Sequence, residues 1–212
     1  LSPDGQQLVL NQGSGGPAAM DVIALRVDAH ARGDSARPLP GPDSQGTSLN
    51  KDVRTLVKTP AGETNGAISP PDGRWLAYQS NESGNWDVYV RPFRDLERGA
   101  RSTVSTGGGT QPRWAPNGRE LFYLSPDGKV MAVDIMADSG EFARGDSLTL
   151  FATGLRITGR ERPSDTFYDV TSDGQQFFVS ELIDDPGSSV DSQDSEAPVH
   201  VIVNGHIGLG KE

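Results

Sequence analysis

Ser147 is the first residue in this chain that invites a chemical reading. It sits in Gly145-Asp146-Ser147-Leu148 and would serve as an acyl-transfer nucleophile if a histidine stood ready to take its proton. The histidines are His30, His200 and His206, and none lies in a motif that would supply such a base. No two of them have the spacing of a helix-borne metal site. The sequence holds no Gly-x-Ser-x-Gly elbow, no Walker loop and no dinucleotide fingerprint. Asp184 to Glu196 carries five acidic residues and no basic one, half of the net charge of −10, but without the ligand spacing of a calcium loop. The residues therefore point to no catalytic group, no metal ligand and no cofactor. Ser147 reads as part of a turn leading into a strand, and the acidic run as a solvated insertion.

The chain that must position any site is rich in turns and poor in core residues. Its 212 residues include 26 Gly and 15 Pro, and only 34% are hydrophobic. That composition excludes a helical bundle and a coiled coil. The absence of Cys excludes disulfides and thiolate metal sites. A charge of −10 gives no electrostatic reason to seek nucleic acid or an anionic membrane, so neither is expected as a partner. No run of 18 apolar residues and no signal peptide occurs, so this chain inserts into no membrane by a helix. It opens directly on a turn motif and reads as an excised piece of something longer.

A repeat explains the turns. Ser2-Pro3-Asp4-Gly5, Ser69-Pro70-Pro71-Asp72-Gly73, Ala115-Pro116-Asn117-Gly118 and Thr171-Ser172-Asp173-Gly174 each precede a short, mostly apolar run. Asn or Asp before Gly accepts the positive φ of a tight hairpin, and Pro presets the position ahead of it. The shortest interval, from Gly73 to Gly118, is 45 residues. A four-stranded propeller blade repeats at about that length. The expected fold is all-β: a β-propeller of four-stranded antiparallel blades, about four in this chain, at roughly 1–60, 61–106, 107–153 and 154–212. Strands number three, four, four and three, because the first unit lacks its inner strand and the last its outer one. Residues 29–50 and 184–198 are expected to be mobile insertions. In Trp86 to Arg91, Trp86, Val88 and Val90 alternate with Asp87, Tyr89 and Arg91, the period of a half-buried strand. Trp75, Trp86 and Trp114 are expected in the core.

Ser69-Pro70-Pro71-Asp72-Gly73-Arg74, the run Trp75 to Ser80 and the strand Trp86-Asp87-Val88-Tyr89-Val90 resemble the WD40-like β-propeller repeat of the TolB type. The stretch from Ala67 to Ile135, with the phrase Val104 to Trp114, is similar to the C-terminal propeller segments of bacterial receptor-like serine/threonine kinases. The ending Val201-Ile202-Val203-Asn204 also fits that group, although Gly205 stands where a Trp is usual. The resemblance implies a location outside the bacterial cytoplasm, in the periplasm or at the cell surface. Gly145 to Leu148 also spells a short motif of a lipase family, but there the Ser follows the first strand of an α/β domain.

In a propeller, ligands meet the loops and inner strands that converge on the axis. Asn65, Gln111, Arg113, Tyr168 and Asp169 are the inner-strand candidates for lining the channel. Arg160 and Arg162, with Arg156, form a local basic cluster suited to an anionic group. The function expected is a non-catalytic ligand- or protein-binding propeller, a sensor or scaffold in a larger bacterial protein. The alternative is the propeller of a serine peptidase or hydrolase whose catalytic domain lies outside this chain. The partner is a protein or small molecule. A second copy, or further blades, would complete the ring.

Overall fold

The computed structural model describes residues 1–13, 20–26, 53–96, 100–137, 141–155, 165–180 and 199–203. All regular structure among them is β-strand. Blade 1 contains β1 (Gln7–Gly13), β2 (Met20–Arg26) and β3 (Val53–Val57). Blade 2 contains β4 (Glu63–Ile68), β5 (Trp75–Ser80), β6 (Asp87–Pro92) and β7 (Ser102–Thr103). Blade 3 contains β8 (Thr110–Trp114), β9 (Glu120–Leu124), β10 (Lys129–Met136) and β11 (Ala143–Ala152). Blade 4 contains β12 (Tyr168–Val170), β13 (Gln176–Ser180) and β14 (Val199–Val203). Each sheet is an antiparallel meander in chain order, so the described strands number three, four, four and three, as the repeat predicted. No helix among the described residues is long and apolar enough to cross a membrane. The insertions at 29–50 and 184–198 lie outside the described residues.

The repeated turns are built alike. Asp4, Asp72, Asn117 and Asp173 each accept the backbone N–H two residues on, at 2.8–3.1 Å. The hydroxyls of Ser2, Ser69 and Thr171 accept the N–H that opens the next strand, at 2.8–3.0 Å. Gly5, Gly73, Gly118 and Gly174 take φ between 66° and 72°. A short side-chain acceptor thus closes the loop, and the following Gly absorbs the left-handed turn.

Adjacent residues of a strand point to opposite faces, and here both faces are covered. Leu76 and Tyr78 enter the core shared with Val22, Leu56 and Val57 of blade 1. Trp75 and Ala77 enter the core shared with Leu121, Tyr123 and Val133 of blade 3. Phe122 and Leu124 pack on Tyr168, Phe177 and Val179 of blade 4. Each blade is thus one layer, and every core lies between two blades.

Three readings of the sequence change. Tyr89 is buried, stacked on Tyr78 at 5.7 Å between ring centres, so β6 is covered on both faces instead of one. Trp86 is only half-buried, because it lies in the loop before β6 and β7 stops short of it, whereas Trp75 and Trp114 do enter a core. Ser147 lies inside β11 instead of before it, because β10 is eight residues long and holds β11 in register across two bulges.

Glu120 shows what the interblade layer does to charge. Burial, and then the neighbouring Asp134 opposite it on β10, raise its carboxyl above the ordinary carboxylate range. A carboxyl raised in the folded state binds its proton more tightly there than when unfolded. Its contribution therefore destabilises the fold as pH climbs through that raised value, and vanishes below the ordinary range. Glu120→Gln is expected to raise the thermal midpoint at pH 7 and to leave it unchanged at pH 3, measured by circular dichroism.

Candidate functional site

The inner strands β4, β8 and β12 are joined from blade to blade, and β4 and β8 are interrupted at the same repeat position. Asn65 and Gln111, both four residues before the turn, adopt left-handed backbone with φ of 54° and 56°. The ladders β4–β5 and β8–β9 slip there, between Thr64 and Ala67 and between Thr110 and Arg113. A bulge turns a backbone N–H away from its own sheet. These two N–H groups turn to the preceding blade. The Asn65 N–H donates to Asn11 Oδ1 of blade 1 at 3.0 Å, and the Gln111 N–H to Gln79 Oε1 of blade 2 at 2.7 Å. Asn11 and Gln79 occupy equivalent positions, four residues beyond Gln7 and Trp75. One amide latch therefore repeats between blades 1 and 2 and between blades 2 and 3.

Blade 4 keeps the latch by another route. The position equivalent to Gln79 is Leu124, which has no acceptor. The equivalent N–H, that of Phe167, donates to Gln111 Oε1 at 2.7 Å. The Tyr168 hydroxyl donates to the Gln111 carbonyl at 2.8 Å, and burial raises its pKa. Gln79 Oε1 also accepts from Asn65 Nδ2 at 3.0 Å, so a hydrogen-bonded belt runs through the inner strands of the described blades.

Asn65, Gln111 and Tyr168 are buried within this belt. Arg113 and Asp169 lie closer to solvent. Arg113 spans blades 3 and 4, with its guanidinium 3.5 Å from Asp169 Oδ1 and donating to Thr166 Oγ1 at 3.1 Å. Arg156, Arg160 and Arg162 lie outside the described residues. Sequence reasoning missed Asn11, Gln79 and Gly66. The amides were recoverable by aligning the repeats on their Gly turns. Gly66 was not, because its reason is a neighbour in space. A Cβ there would stand 2.5 Å from Val22 Cγ1 and 2.8 Å from Val9 Cγ1.

Asn11 and Asn65 of the belt line a cleft of about 530 Å³. Val9, Leu10 and Asn11 of β1 line one side; Gly66 and Ala67 of β4 with Arg113 and Trp114 of β8 line the other. Trp114 is fixed by donating its indole N–H to the Ala67 carbonyl at 3.0 Å. The volume lies in the usual range for a small-molecule or peptide site, and the walls mix polar groups with apolar side chains. The Oγ of Ser147 accepts the Tyr123 hydroxyl at 3.0 Å. Among the described residues, no group of three or more His, Asp or Glu could hold a metal.

No family profile matches the sequence, and no curated protein does. Solved structures do. TolB from Acinetobacter baumannii aligns with a TM-score of 0.56 at 14% identity, over 95% of this chain and 42% of its own. A TolB candidate from Agrobacterium tumefaciens aligns with a TM-score of 0.50 at 20% identity, over 71% of this chain and 47% of its own. The chain thus spans less than half the length of either of these two structures. At these identities the likeness speaks for the fold alone. With the meander blades, the interblade cores and the joined inner strands, it shows a β-propeller fold of the TolB-like kind.

Proposed function

We propose that this chain is a non-catalytic binding domain, a sensor or scaffold, within a larger bacterial protein that works outside the cytoplasm. The observation that carries this reading is the cleft beside the inner strands. The Asn65 N–H to Asn11 latch fixes two of its lining residues before any ligand arrives, which is the preorganisation a recognition site needs. The kinase-type resemblance of Ala67 to Ile135 supports the sensor role and the extracytoplasmic location. The second reading, a propeller gating a serine hydrolase domain outside this chain, draws only on the breadth of chemistry that propellers accompany.

Two measurements separate them. The gene on either side of this segment is expected to encode a kinase domain and a membrane span; a hydrolase domain with a serine elbow would overturn the sensor reading. The purified chain is expected to gain thermal stability from at least one member of a peptide and metabolite panel, and to hydrolyse no ester, lactone or peptide bond. Turnover that Ser147→Ala abolishes would refute the non-catalytic assignment.

A further inference from the structure

Asn117 differs from its counterparts in the repeated turn. Asp4, Asp72 and Asp173 hold the equivalent place in the other three blades, and blade 3 alone carries an amide there. Gly follows in all four, which makes Asn117-Gly118 an Asn-Gly pair. Such a pair is chemically labile, because the nitrogen of a residue without Cβ reaches the Asn side-chain carbonyl carbon unhindered. Asn117 is exposed among the described residues. Its Oδ1 accepts the Arg119 N–H at 2.8 Å, which draws electron density from Cγ. The Gly118 N–H donates to the Ala115 carbonyl at 2.9 Å, and opening that one turn bond frees the nitrogen. Two other Asn-Gly pairs occur. Asn204-Gly205 lies outside the described residues. Asn65-Gly66 is held in the belt: Asn65 Nδ2 donates to Gln79 Oε1 and the Asn65 N–H to Asn11 Oδ1, both at 3.0 Å, while Val22 and Val9 close on Gly66. Reaction at Asn65 requires blades 1 and 2 to part, a costlier opening than that of a surface turn.

We propose that Asn117 is a self-modification site, converted through a cyclic imide with Gly118 to aspartyl and isoaspartyl forms, and that the isoaspartyl form opens the contact between blades 2 and 3. The Gly118 nitrogen gives its proton to solvent and bonds to Asn117 Cγ. The Cγ–Nδ2 bond breaks, and Nδ2 leaves as ammonia with a proton taken from solvent. Water then adds to one of the two imide carbonyls. Addition at Cγ breaks the new N–Cγ bond and leaves an aspartyl side chain. Addition at the main-chain carbonyl breaks the original peptide bond and leaves the chain running through Cγ. Water has replaced ammonia, and nothing is oxidised or reduced.

The two products differ in what blade 3 keeps. The aspartyl form accepts the Arg119 N–H as Asp4, Asp72 and Asp173 accept the N–H two residues beyond them. It lacks the hydroxyl donor that Ser2 and Thr171 supply to their aspartates, because Ala115 stands in that place. The isoaspartyl form inserts a CH₂ into the main chain directly before Gly118. Gly118 abuts the turn of blade 2 so closely that even a Cβ would run into the Pro70 oxygen. The longer backbone displaces Gly118 and breaks that fit. This inference is independent of the binding reading and needs no ligand.

The full chain is aged in mildly alkaline buffer beside a second sample held in urea, and both are followed by peptide mapping with mass spectrometry. In the folded chain Asn117 is expected to lose ammonia at least about tenfold faster than Asn65. In urea the two sites are expected to react at comparable rates, because each precedes Gly. The difference between the samples is then the work of the fold and not of the local sequence. Asn117→Asp carries one product from the start and is expected to melt with the parent. The aged isoaspartyl fraction, resolved from the aspartyl one by chromatography, is expected to melt lower. Equal rates at Asn117 and Asn65 in the folded chain would overturn the proposal. So would an Asn117 that stays intact in the folded chain while it reacts in urea. An isoaspartyl fraction that melts with the parent would overturn the coupling to blade 2.

Discussion

Gly118→Ala is expected to cost about 2–5 kcal/mol in urea unfolding, far more than the loss of a turn glycine on the surface. Gly118 has φ of 68°, where an L side chain costs about 1–2 kcal/mol. The larger effect comes from the neighbouring blade. A Cβ on Gly118 would lie 1.9 Å from the backbone oxygen of Pro70 in the turn of blade 2. Neither atom sits at the end of a flexible side chain, so the two blades must part, and overpacking of that kind costs about 1–3 kcal/mol more. Gly84 provides the control. Its φ is 95°, but a Cβ there meets nothing within 4 Å. Gly84→Ala is therefore expected to show the conformational cost alone. Equal losses in the two variants would show that the turns of adjacent blades do not bear on each other.

This contact marks the boundary of what the repeat makes legible. The turn chemistry, the strand order and the two-sided burial of β5 and β9 follow from local patterns. Ser or Thr, Asp or Asn, and Gly stand at fixed offsets, and an apolar run follows. The use of Gly118 as a spacer does not follow, because a Pro-Asn-Gly hairpin would want Gly there in any protein. Trp86 shows the same limit in reverse. Its alternation with Val88 and Val90 was real, but whether a neighbour reaches that far depends on where β7 stops. Ser147 was misplaced because Gly145 and Asp146 look like turn residues and only the length of β10 pulls them into a strand.

The strand positions of the candidate residues were legible and their contacts were not. Asn65, Gln111, Arg113, Tyr168 and Asp169 do fall on or beside the inner strands. What the sequence did not disclose is that the backbone N–H groups of Asn65 and Gln111 face the preceding blade. The direction of a backbone N–H within a bulge depends on a left-handed residue, and neither Asn65 nor Gln111 announces one, although Asn tolerates that backbone better than most. The cost of holding two such residues is local, and the latches they permit act between blades. That arrangement places strain and preorganisation at the same positions.

Gln79 is where the latches meet, and Gln79→Leu is expected to lose about 2–4 kcal/mol. Gln79 is buried, 1% exposed, and its Oε1 accepts from both Gln111 N–H and Asn65 Nδ2. Leucine fits the position sterically, since Leu124 holds the equivalent place in blade 3. The change therefore removes acceptor chemistry with little change in volume. Blade 3 tolerates Leu124 only because Gln111 lends its side chain to the Phe167 N–H. Among the described residues no second amide bonds the Gln111 N–H, and a buried donor without its acceptor costs about 1–3 kcal/mol. Asn11→Ala, at the cleft and only half-buried, removes one latch where water can replace it, and is expected to lose about 1 kcal/mol. Hydrogen exchange supplies the site-specific check: the Gln111 amide is expected to lose most of its protection in Gln79→Leu and to keep it in Asn11→Ala. A Gln79→Leu chain within about 0.5 kcal/mol of the parent would mean that apolar packing alone holds blades 2 and 3 together. The cleft wall would then owe its shape to the cores and not to the amides.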